Sequence, residues 1–132
     1  MRRKQVLALV VLLTFLMPFV SFAGKLSEAD KLDKIIKKIN ERQSKNLKNF
    51  EKKARAYFFE AQKPETIETS IKEFTPGEAV AVIVISNLSK KPYKEVASMK
   101  KAGKGWPEIA EKSGAKLKAV VKEEKDFRLG IG

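Results

Sequence analysis

Thr75-Pro76-Gly77-Glu78-Ala79-Val80-Ala81-Val82-Ile83-Val84-Ile85 is the stretch on which the fold turns. Taken alone, the run 79–85 reads as a buried strand, because Val and Ile fit the pleated surface well. Two features oppose that reading. Thr75 and Glu78 have the Ser/Thr-x-x-Glu spacing of a capping box, with Pro76 at the first helical position, where its missing N–H costs nothing. No second β-branched run and no hairpin signal offers a partner strand. The stretch is therefore expected to be a buried helix, and the fold class all-α.

On its N-terminal side, residues 65–74 form a short helix in this reading. Residues 27–62 contain neither Gly nor Pro, and Ala29, Leu32, Ile36, Ile39, Leu47, Phe50, Ala54, Tyr57 and Ala61 recur at steps of three and four along much of the run. That spacing places them on one helical face, widened by Ile35 and Phe58. Ser27 is the expected N-cap, with Glu28 and Asp30 placed to complement the helix dipole. Residues 40–49 are polar, with Gln43 on the seam, so the helix either continues half-exposed or breaks near Ser44. The expectation is one long amphipathic helix within 24–64, followed by a compact helical domain over 65–132.

On the C-terminal side, frequent Gly and Pro predict short helices and tight turns. One helix starts at Ser89 and ends at Gly103. A second spans 108–113 and stops at Gly114, and a third carries Leu117, Val120 and Val121 inward and ends near Asp126. Phe127 and Leu129 are expected to fold back, and residues 130–132 to fray.

The stretch Gly103-Lys104-Gly105-Trp106-Pro107-Glu108-Ile109-Ala110 resembles the Gly-x-Gly-Trp-Gly-Glu-Ile-Ala element of small exported bacterial helical proteins of uncharacterised function. The likeness covers about residues 75–122. Pro107 after the tryptophan departs from the pattern, as does Ala115-Lys116 after Gly114. The resemblance implies export and fold class. Ile109-Ala110, Gly114, Ala115 and Val120 also resemble a helix-turn-helix, whose turn glycine permits left-handed backbone geometry. The next helix would present Lys116, Lys118 and Lys122, which suit phosphates; base readout commonly uses Arg, Asn or Gln. A nucleic-acid-binding regulator is thus the least favoured alternative.

The N-terminus begins Arg2-Arg3-Lys4, continues apolar from 6 to 20 with Thr14 and Pro18 as interruptions, and reaches Ser21-Phe22-Ala23-Gly24. Basic, apolar and small-residue regions in that order match a secretory signal peptide spanning 1–23, cut after Ala23. The run is shorter than the ~20 apolar residues of a membrane span. A periplasmic or secreted product with no integral span after cleavage is expected.

The chain has 132 residues, 28 Lys+Arg against 16 Asp+Glu, and no His or Cys, which excludes disulfides, thiolate zinc sites and imidazole catalysis. Cleavage at Ala23 would leave a net charge of +9, almost all of its cations lysine, suited to diffuse attraction more than to a shaped anion pocket. The densest cluster is Lys90, Lys91, Lys94, Lys100, Lys101 and Lys104, with Glu95 the single acid among them. These six lysines are the candidate surface for anionic envelope lipid or polymer. Trp106 is expected to staple its turn to the core, and Tyr57-Phe58-Phe59 to pack or to form a partner patch. The acid group Glu123, Glu124 and Asp126 reads as surface charge. Ser70, Ser86, Ser89, Ser98 and Ser113 lie in no nucleophile motif. No catalytic residue, metal ligand or cofactor is assigned. The leading expectation is an exported non-enzymatic binding protein; the alternative is a chaperone-like stress protein holding client proteins on its long helix.

Overall fold

The computed structural model describes residues 27–131, and the signal-peptide reading lies outside them. Seven helices follow in order: α1 (Glu28–Gln43), α2 (Leu47–Tyr57), α3 (Pro64–Glu73), α4 (Pro76–Ser89), α5 (Tyr93–Lys101), α6 (Trp106–Ser113) and α7 (Leu117–Ile131). No strand occurs among the described residues.

The decisive stretch forms the central helix. Ala79 to Ser86 are all buried, so α4 is apolar on every side, as befits a helix surrounded by others. It packs against α1, α3, α5, α6 and α7. The Glu78 carboxylate accepts from the Thr75 N–H at 3.3 Å and from its hydroxyl at 2.8 Å, closing the start of the helix. A second cap arrives from 37 residues away: Asn40 Oδ1 on α1 accepts the Gly77 N–H at 2.7 Å. The helices meet closely enough there that a Cβ on Gly77 would lie 2.5 Å from the Ile36 carbonyl oxygen.

The continuous helix expected over 24–64 is corrected to two helices. α1 ends at Gln43, and Asn46 starts α2 by accepting the Asn49 N–H at 3.1 Å. The polar residues between them have little to gain by burial, while a capping asparagine offers the backbone an alternative to helix. The bend lets α2 set Phe50 and Phe58 against Phe127 of α7. Phe58 stacks on Phe127 with centroids 5.3 Å apart, and Phe50 and Tyr57 meet the same ring edge-on at 6.1 and 4.9 Å. The resulting core cluster includes Leu32 and Ile39 of α1, Val80 to Ile85 of α4, Ile109 of α6 and Val120 of α7.

Two further boundaries differ from expectation. Ser89 ends α4 instead of opening the next helix, because Lys90 takes a left-handed conformation (φ 63°) and α5 begins only at Tyr93, after Pro92. α7 does not stop near Asp126, and its end is neither folded back nor frayed through residue 131. Phe127 lies on the buried phase of the same helix, so ordering it against α2 extends α7 to Ile131, whose carbonyl accepts from Lys53 Nζ at 3.1 Å. Gly114 ends α6 in a left-handed conformation (φ 91°), as its sequence position predicts.

Candidate anion-binding face

The six lysines between 90 and 104 do not form a uniform positive patch. Lys100 approaches Glu78 at 3.9 Å and lies 4.4 Å from the centre of the Trp106 ring, a cation–π contact that joins α5 to α6. Lys101 pairs with Glu73, and Lys104 with Glu108 at 3.4 Å. Hydrogen bonds from Lys112 and then Lys104 hold Glu108 below the usual carboxylate range. Lys90, Lys91 and Lys94 have no carboxylate within 4 Å among the described residues. Half of the candidate cluster is therefore matched by acids, and all three of those acids come from outside the 90–104 stretch.

Trp106 is buried, as expected of a residue fixing its turn. The three consecutive aromatics divide: Phe58 is core, Tyr57 is partly covered by Phe127, and Phe59 is 79 % exposed. Phe59 stands beside a hollow of about 1080 Å³ between α3 and α5, lined also by Tyr93, Lys94 and Lys101. Tyr93 donates to Glu73 at 3.0 Å, and burial pushes its hydroxyl pKa up to about 12. Glu60, Glu65 and Glu73 balance Lys63, Lys94 and Lys101 around this hollow, so its lining has no net formal charge.

A stronger concentration of positive charge lies elsewhere among the described residues. A groove of about 750 Å³ runs between α1 and α7, floored by Ile35, Ala119 and Val121. Lys31, Lys34 and Lys38 line it from α1, and Lys118, Lys122, Lys125 and Arg128 from α7, joined by Lys116 just before α7. Glu28 is the single acid lining it. Lys31 pairs with Glu28 and Lys122 with Asp126, both at 3.2 Å. The other six cations have no ion pair among the described residues. Each set recurs at helical steps of three and four, so each is a single stripe on its own helix. Sequence reading missed the groove because the two stripes are about eighty residues apart, and only the packing of α1 along α7 joins them.

Beyond Lys38 and Arg128 the groove continues into a smaller hollow of about 360 Å³, where Arg42, Lys45 and Glu41 join those two residues. α1 and α7 run parallel here, since the C-terminal parts of both helices line this end.

The reading of Glu124 as surface charge is corrected: it is fully buried, and neither carboxylate oxygen has a hydrogen-bond partner among the described residues. Position 124 shares the inward phase of Val120, Val121 and Phe127. Burial raises its pKa well above the usual carboxylate range, because the charged form would lose its hydration. Arg128 follows one turn later, with its Nε buried and likewise without a partner. The usual i,i+4 ion pair is absent between them.

The turn that resembles a helix-turn-helix has the expected Gly114 geometry and a buried Ala115, and the helix after it packs along α1. No helix among the described residues is long and apolar enough to cross a membrane, and no group of three or more acids is placed to hold a metal ion. In comparisons with family models, curated proteins and solved structures, none matches this chain.

Proposed function

We propose that the protein is an exported, non-enzymatic binding protein that docks on anionic lipid headgroups of the cell envelope through the α1/α7 face. The observation carrying this reading is the groove in which eight cations face one carboxylate. Lysine predominates, and hydrated ammonium groups on flexible stems suit a diffuse anionic surface whose charges need no fixed geometry. The lysine stems also extend the apolar floor while their heads stay in water. The export half of the proposal rests on residues 1–23; N-terminal sequencing of the protein from fractionated cells is expected to begin at Gly24 and to find it outside the cytosol. A Met1 terminus in the cytosolic fraction would remove that half.

Docking is tested by cosedimentation with phosphatidylglycerol and phosphatidylcholine vesicles. Binding is expected only to the former and to weaken steeply with salt over the range where the Debye length shrinks below ~10 Å. Changing Lys34, Lys118, Lys122 and Lys125 together to Gln should weaken it by about 100-fold, taking up to ~1 kcal/mol per charge near an anionic surface. Changing Lys90, Lys91 and Lys94 should have a much smaller effect. Equal loss from both sets would defeat the assignment to this face.

A further inference from the structure

We infer that the α1/α7 groove and the hollow at its end together form a site for one single-chain amphiphile with a phosphate head. The chain would lie on Ile35, Ala119 and Val121, and the head at Arg128. This inference rests on the docking face proposed above and names an individual ligand for it.

Three observations support the assignment. First, the two hollows share Lys38 and Arg128 but differ in character, the larger having the apolar floor and the smaller being polar. From Glu28 to Lys38 the groove follows α1 for about 15 Å at 1.5 Å per residue, which suits an extended acyl chain of medium length.

Second, Arg128 is the one arginine of the groove, and its Nε is buried without a partner. A guanidinium presents planar paired donors that match phosphate oxygens, which a lysine cannot reproduce. Glu124, the acid one turn away, is sealed in the core and not paired with Arg128, and no other carboxylate lies within 4 Å of the guanidinium among the described residues.

Third, Lys38, Arg42, Lys45 and Arg128 face only Glu41 in the smaller hollow. That excess is more than one cation needs to complement the C-terminal dipole of α1, and it matches a dianionic phosphate better than a monoanionic carboxylate. The lysines along the groove would flank the chain with their stems and keep their charges in water.

The test uses dodecyl phosphate below its micellar concentration, inorganic phosphate and dodecyl maltoside, each titrated calorimetrically into the purified protein. Dodecyl phosphate is expected to saturate at one per chain, with the other two at least about 10-fold weaker because each lacks one half of the recognition. Arg128→Lys keeps the charge but removes the fork, and should weaken dodecyl phosphate by about 10-fold. Ala119→Glu, at a half-buried floor position, should abolish its binding. Both variants are checked by thermal melting for an intact fold. Equal binding of dodecyl maltoside or inorganic phosphate, or an unchanged affinity in Arg128→Lys, would overturn the inference. So would phosphatidylglycerol binding that persists without saturable uptake of dodecyl phosphate, although the docking proposal would then stand. Loss of both activities would overturn both.

Discussion

Gly77→Ala is expected to destabilise the protein by about 3 kcal/mol or more, the upper range for forcing atoms into a packed interior. At an ordinary helix position the same change would gain up to ~1 kcal/mol from backbone entropy and helix propensity. Here the new Cβ would sit 2.5 Å from the Ile36 oxygen and 2.7 Å from the Ile36 Cα. Both obstacles are backbone, so no rotamer change relieves them. α1 and α4 must separate, and the hydrogen bond from the Gly77 N–H to Asn40 lengthens or breaks with them. Urea denaturation followed by circular dichroism provides the check. A variant as stable as the parent would mean that the two helices are not in this close contact. Gly114→Ala is the comparison: its φ of 91° strains an alanine, but no atom lies within 4 Å of the added carbon. It should cost only about 1–2 kcal/mol.

The second large effect has the opposite sign. Glu124→Leu should raise stability at pH 7 by about 2 kcal/mol, because an apolar side chain of similar size replaces a carboxyl that has lost water and gained no partner. The gain should depend on pH in a defined direction. Burial raises the folded-state pKa of Glu124, so the folded protein keeps this proton after the unfolded chain has released it. The native state is therefore favoured most below the ordinary glutamate value, ~4.3, and loses stability as pH rises from there towards the raised folded-state pKa. The leucine variant removes that loss. Its advantage over the parent should be smallest near pH 4 and grow towards neutrality. Unfolding curves at several pH values decide it; a constant difference would show that Glu124 is solvated as in the unfolded chain.

Local signals foretold the helices well where they were self-contained. The box of Thr75 and Glu78 outweighed the strand propensity of Val80 to Ile85, and α4 is the central helix. Gly114 closed α6 through geometry that few other residues adopt easily. The break after Gln43 was harder to read, because its cause is shared between Asn46 capping α2 and a distant ring, Phe127, that rewards the bend. Glu124 was legible in principle: the periodicity of Val120, Val121 and Phe127 puts it inward, but its neighbours Glu123 and Asp126 suggested a solvated acidic end. Charge counting along the chain found the lysines of 90–104. It could not anticipate that Glu73, Glu78 and Glu108 would reach three of them. The α1/α7 groove was hidden for the converse reason, since neither helix alone exceeds an ordinary charged face.

The pairing of α1 with α7 also bears on how the molecule is made. The first described helix finishes its core contacts on the last, and the ring that anchors α2 is residue 127. Such long-range closure slows folding, because loop entropy is spent before those contacts form. Without α7, Phe50 and Phe58 lose the ring they pack on and one side of α1 is uncovered, while the contacts of α1, α3 and α5 with α4 can still form.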